Sequence, residues 1–180
     1  MKRIFACISL FFVAAALLTA QHGPVLSPPA SASATLAGKV VRIDYSSPRV
    51  KGRAGKLFGK DGRIGQDPQY PIWRAGANSA TALHTETDLD IGGLTVPKGD
   101  YTLFVDLSDP AHWVLVVSKQ TGEWGLSFDK TQELGRAKMA TSAAPALVED
   151  LTYTLTSNGS KGAITLAWEN VSATVAIAAK

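Results

Sequence analysis

Three cations stand close together at Arg49, Lys51 and Arg53, within Ser46-Ser47-Pro48-Arg49-Val50-Lys51-Gly52-Arg53. Guanidinium groups grip carboxylate and phosphate through paired hydrogen bonds, so such a trio can rim a site for an anionic or polar ligand. The same pattern also describes a solvated basic loop. The glycines at 52, 55 and 59 lack the Gly-Lys-Ser/Thr closure of a phosphate-cradling Walker loop and read as turn formers. A second cluster is Ile72-Trp73-Arg74-Ala75-Gly76-Ala77-Asn78. A Trp–Arg pair can stack on a sugar ring or planar ligand, and Asn adds hydrogen bonds. Equally, Trp73 can be core, Arg74 the partner of a carboxylate, and Gly76 and Asn78 the makers of a turn.

Acid–base and metal chemistry have weaker footholds. His84, Glu86, Asp88 and Asp90 share one parity, so a fully extended chain would project all four from one face, as a divalent metal requires. A strand ending near Thr87 would break that row, and alternating polar residues are also what the wet face of a sheet shows. No metal site and no cofactor are expected. Asp106, Asp109 and His112 form a similar constellation, which a hairpin tip explains equally well. Either region could lend a general acid and base to a hydrolase of glycans or esters. There is no Gly-x-Ser-x-Gly elbow. Trp124 and Trp168 each stand beside a glutamate: exposed, they would suggest carbohydrate binding; buried, they are core. Asn158-Gly159-Ser160 and Asn170-Val171-Ser172 fit the glycosylation pattern, but both asparagines fall in expected turns.

The elements that must position these residues read as short strands. Val41, Ile43 and Tyr45 alternate onto one face, and Thr81–Glu86 repeats the pattern around Leu83. Leu94–Val96 runs into the Pro97-Lys98-Gly99-Asp100 turn. Tyr101–Leu107 and Trp113–Ser118 are rich in aromatic and β-branched residues and should pair as a hairpin. Leu151–Thr156 and Ala163–Trp168 flank Asn158-Gly159, a tight-hairpin signal, and Val171–Ala178 follows a reversal at Glu169-Asn170. Residues 129–150 admit both a helical turn at Thr131–Leu134 and a strand at Arg136–Met139. The sum is about eight to ten strands: an all-β, antiparallel β-sandwich, with a jelly-roll connection as one option.

The N-terminus reads as an address. Met1-Lys2-Arg3, an apolar run from Ile4 to Leu18 and small residues at Thr19-Ala20 are laid out as a secretory signal peptide over residues 1–20. The run is shorter than the roughly 20 residues of a spanning helix, so no membrane span is expected after cleavage. Cys7, the single cysteine, sits too early for a lipoprotein signal. Its removal leaves no disulfide, thiolate zinc site or cysteine nucleophile. Residues 21–38, rich in Pro, Ala and Ser, read as a spacer, with the folded domain at 39–180. Without Lys2 and Arg3 the chain carries 16 cations against 15 carboxylates, a balance that argues against nucleic acid as a partner. The expected location is periplasmic or extracellular.

Ser47-Pro48-Arg49, Lys51-Gly52-Arg53, Leu57-Phe58-Gly59 and Trp73-Arg74-Ala75-Gly76-Ala77-Asn78 together resemble the signature of the exported bacterial DUF2911 family. Ile91-Gly92-Gly93, Val96-Pro97-Lys98-Gly99-Asp100-Tyr101, Trp113, Glu123-Trp124-Gly125 and Leu166-Ala167-Trp168-Glu169 continue the pattern in order, over residues 40–178. Between Phe128 and Met139 the chain departs from it: Phe128-Asp129-Lys130 and Leu134-Gly135-Arg136 stand where the family has a tyrosine and an Asp-Val/Ile step. The resemblance implies an exported, β-rich domain with no catalytic residues to carry over. It also implies a shared polar site, or a shared buried network, at Arg49, Arg53, Trp73, Arg74 and Asn78. The leading expectation is a non-enzymatic module binding a small polar or anionic ligand, a glycan or an envelope protein. The alternatives are an envelope hydrolase using paired carboxylates and a purely structural domain.

Overall fold

The computed structural model describes residues 26–180, so the expected signal peptide lies outside the described residues. Those residues form eleven strands: β1 (Pro29–Leu36), β2 (Lys39–Ser46), β3 (Ile72–Trp73), β4 (Thr81–Thr85), β5 (Leu89–Ile91), β6 (Leu94–Val96), β7 (Gly99–Asp106), β8 (Val114–Ser118), β9 (Glu133–Lys138), β10 (Ala140–Asn158) and β11 (Lys161–Ala179). The first sheet has the order β1-β2-β4-β7-β8-β9, with β3 pairing the end of β7. The second has the order β10-β11-β5-β6. All pairings are antiparallel, and the sheets do not close into a barrel. Between β4 and β7 the chain leaves the first sheet to make the β5–β6 hairpin of the second, which ties the layers together. Among the described residues, no helix is long and apolar enough to cross a membrane.

Alternation places the core between the sheets. Val41, Ile43 and Tyr45 of β2 point inward with Leu83 of β4, Tyr101, Leu103 and Val105 of β7, and Leu115 and Val117 of β8. Leu151, Tyr153, Ile164, Leu166, Val175 and Ile177 meet them from the second sheet. On the outer face of the first sheet Phe104 is also fully buried, because Phe128 covers it at a ring distance of 5.0 Å. Both readings of the stretch after Phe128 are realised, one after the other. Lys130–Gln132 is a single 3-10 turn, capped by Asp129 accepting from the Thr131 amide, and β9 follows at once.

The spacer reading of residues 21–38 needs correction over Pro29–Leu36, which pairs along its whole length with β2, from Pro29 opposite Ser46 to Leu36 opposite Lys39. Its alternation is faint: Ala30, Ala32 and Ala34 turn inward half-buried, and Ser31, Ser33 and Thr35 outward, but alanine differs too little from serine to mark a strand; backbone pairing and the buried Leu36 hold it. The folded part thus begins ahead of residue 39.

The long β10–β11 hairpin closes at Gly159, whose φ of +66° suits the tight turn. At Glu169 the chain takes φ +56°. Thr165 and Thr174 lie nine residues apart, about 30 Å in a straight strand, yet their hydroxyls are 2.9 Å from each other. β11 therefore reverses at Glu169–Asn170, where the sequence places a turn.

A charge network locks the edge of the first sheet. Arg136 of β9 bonds both oxygens of Glu133 at 2.7 and 2.9 Å and Asp106 of β7 at 2.6 Å. The Arg136 guanidinium holds Glu133 below the usual carboxylate range. Burial pushes Asp106 up, but the Ser108 hydroxyl and amide together with Arg136 bring it below its ordinary value. Both carboxyls thus bind protons more weakly folded than unfolded, so their contribution is present above the unfolded values near pH 4 and is lost as pH falls below them. Arg136→Met should remove on the order of 1 kcal/mol at neutral pH, about 2–4 °C in melting temperature. It should also flatten the acid limb of stability below pH 5. Thermal melts from pH 3 to 7 measure both effects.

Candidate functional site

The segment after β3 is shaped by backbone geometry. Ala75 and Asn78 adopt left-handed conformations, with φ of +50° and +58°. The Ala75 carbonyl accepts from the Tyr153 and Thr81 hydroxyls, both at 3.1 Å. Burial pushes the Tyr153 phenol well above its ordinary range, which keeps it a donor. Gly76 admits no side chain: a Cβ there would lie 2.9 Å from the Thr81 hydroxyl and 3.2 Å from the Ser46 carbonyl. These constraints aim Arg74 and Asn78 away from the core while Trp73 enters it.

The basic segment after β2 is fastened to the second sheet. Ser47 donates to the Leu151 carbonyl at 2.7 Å, and Val50 and Lys51 donate their amides to the Glu149 carbonyl and carboxylate, each at 2.8 Å. Arg49 pairs with Asp150 at 2.7 Å. The Gly55 amide donates to the buried carboxylate of Glu169. Arg53 turns its guanidinium onto its own loop, bonding the Val50 and Arg49 carbonyls at 2.9 and 2.5 Å.

Between the two segments lies a cavity of about 570 Å³, and all five candidate residues line it: Arg49, Arg53, Trp73, Arg74 and Asn78. Lys51 and Arg63 join them, giving five cations against one carboxylate, Asp67. Only Arg49 and Arg74 of those five are ion-paired among the described residues, Arg74 reaching Asp67 at 3.2 Å. The Arg74 side chain lines the cavity but is only 14% exposed, and its guanidinium also donates to the Asn78 carbonyl at 3.3 Å. The floor includes Trp73 and Trp168, which stack at 5.8 Å with planes 13° apart. Trp73 is 2% exposed and cannot be the ring platform that its pairing with Arg74 suggests; its face belongs to Trp168. The exposed indole is Trp124, at 57%, on the rim.

Beyond the five candidates, Trp124, Arg63, Asp67 and Trp168 also line the cavity; the sequence offers both tryptophans as sugar platforms if exposed, and only Trp124 is. The Glu123-Trp124-Gly125 block signals Trp124, because Gly125 lets Arg74 pass: a Cβ there would strike Arg74 and lie 2.8 Å from the Asn78 carbonyl. Arg63 and Asp67 carry no signal, since they meet the cavity from either end of a short 3-10 turn at Ile64–Gln66.

The other constellations disperse. His84 bonds Asp100, its cross-strand neighbour, at 2.7 Å, beside a second cavity of about 420 Å³ on the outer face of the first sheet. Glu86, Asp88 and Asp90 instead accept the amides of Val40, Lys98 and Gly93. Asp109 is bonded to His112 and Asp106 to Arg136. None of these five carboxylates lines the basic cavity or the second one, which is bordered instead by Asp44, Asp100 and Glu123 with His84. Among the described residues, no group of three or more His, Cys, Asp or Glu is arranged to hold a metal ion.

A family model described as "Protein of unknown function (DUF2911)" matches residues 27–177. The chain belongs to the DUF2911 family. No curated protein and no solved structure matches it. In this DUF2911 chain several of the blocks quoted above converge on one place: Pro48-Arg49, Lys51, Arg53, Trp73-Arg74, Gly76-Ala77-Asn78, Trp124 and Trp168 line the same cavity, whereas Leu57-Phe58-Gly59, Ile91-Gly92-Gly93, Val96–Tyr101 and Trp113 do not line it. Gly125→Ala tests whether the DUF2911 motif serves that wall. It should cost about 1–3 kcal/mol through overpacking, read by denaturant unfolding. It should also shift the Arg74 side-chain NMR resonances more than those of Arg136, which lies on another face.

Proposed function

We propose that the protein is an exported, non-enzymatic binding module whose ligand is a small anion-bearing molecule held in the cavity between the two sheets. The observation that carries this reading is the concentration of charge: five of the 16 cations outside the leader border one concave site that contains a single carboxylate. A concave wall of one sign over low-dielectric rings focuses the field and raises the local concentration of oppositely charged ligands. The expected leader over residues 1–20 supports a periplasmic or extracellular setting.

Arg63 is the informative residue, because it is exposed and its removal leaves the core intact. Arg63→Ala should leave unfolding stability within about 0.5 kcal/mol while weakening binding of a carboxylate- or phosphate-bearing ligand roughly tenfold. Binding should also weaken between 20 mM and 500 mM salt, as screened charge interactions do. Calorimetric titration with a panel of sugar acids, dicarboxylates and inorganic phosphate measures both effects. If the folded protein binds no anion at millimolar concentration in low salt, the reading falls.

A further inference from the structure

We infer that the ligand is a carboxylated sugar ring, a uronic acid unit of a polysaccharide, seated with one ring face on Trp124. This rests on the anion-site reading of the same cavity and narrows it. Large hydrophobic side chains are exposed at four described positions, and two of them, Trp124 and Leu26, line this cavity. Trp124 is held at the mouth by backbone pairing: it bridges Ser79, and the following Gly125 amide donates to the Asn78 carbonyl at 3.1 Å. The other three indoles are 2–4% exposed within one aromatic cluster. An indole left open beside five cations offers a flat apolar face next to positive charge. A uronic acid ring presents the complement: a face of C–H groups, and a carboxylate at its edge for a guanidinium fork.

What separates this ligand from a bare phosphate is the open indole, since an inorganic anion has no apolar face to lay on it. On the basic segment the amides of Lys51 and Arg53 are committed to Glu149 and Val50, and the side-chain cations line the cavity. Below them, Trp168 lines the cavity as a closed floor with its Nε1–H sealed from the opening, so the ring face that a sugar can meet is that of Trp124.

The test titrates the full chain with a galacturonate trisaccharide, the neutral galactose trisaccharide and inorganic phosphate. The readouts are tryptophan fluorescence and the indole N–H resonances. The uronate should quench fluorescence and move the Trp124 indole signal, with the neutral sugar at least tenfold weaker. Trp124→Ala, which removes an exposed side chain, should weaken the uronate at least tenfold and leave phosphate unchanged. Unaltered uronate affinity in Trp124→Ala, or phosphate binding as tightly as the uronate, overturns the sugar inference while the anion site stands. A neutral sugar binding as tightly as the uronate overturns the carboxylate requirement and with it the inference. Silence from all three probes overturns the inference and the anion site together.

Discussion

Four aromatic rings wedged between the sheets set the terms for the rest of the molecule. Phe58 packs against Trp73, Trp113 and Trp168 at 5.8, 4.9 and 5.8 Å, while Trp73 stacks on Trp168 and meets Trp113 edge-on at 6.1 Å. The rings come from separate stretches of chain: β3, the entry to β8, β11 and the loop after the basic segment. Interiors are close-packed and rings this large leave few alternative arrangements. The cluster therefore fixes how far apart the sheets stand at this end. It also decides that the gap above Trp73 and Trp168 is a cavity and not more core.

Electrostatics follows from the same arrangement. The chain is nearly balanced, so a positive site requires that carboxylates be directed elsewhere. Glu149 and Glu169 do this by receiving backbone amides from behind the basic segment, which stiffens it without neutralising Arg53 or Lys51. Asp150 and Asp67 each restrain one guanidinium. On the opposite edge, Arg136 draws Asp106 and Glu133 into a closed network that lines neither the basic cavity nor the second one. Acid is thus used as mortar and base as the working surface.

Much of this was legible in the sequence, for physical reasons. β2, β4, β7 and β8 announce themselves because one face of each is buried, which forces apolar alternation. The reversals at Gly159 and Glu169 were visible as turn chemistry. β1 was not, because its Ala and Ser side chains contribute little to the core and its pairing is carried by backbone groups that every residue possesses. At the site, the basic trio and the Trp73-Arg74…Asn78 block each stood out by residue type, and only the family resemblance joined them. The assignment of faces was not legible: whether Trp73 or Trp124 shows its ring to solvent depends on Trp168, which arrives from about 95 residues further along the chain and occupies the Trp73 face. Arg63 was invisible for a similar reason, since a lone cation among glycines carries no pattern until the chain folds.

The described chain enters the fold at the cavity itself. Leu26 and Ser27 border the mouth, and Pro28 accepts the Ser47 amide at 2.8 Å, which pins the entering strand beside the basic segment. The other end leaves from elsewhere: Lys180 donates its amide to the Asp88 carbonyl and its ammonium to Thr95, and neither partner touches the cavity. Handling the protein is therefore not symmetric. An affinity tag, fluorophore or immobilising linker joined ahead of residue 26 would hang over the opening and compete with whatever enters it. The same attachment after residue 180 would leave the mouth facing free solution.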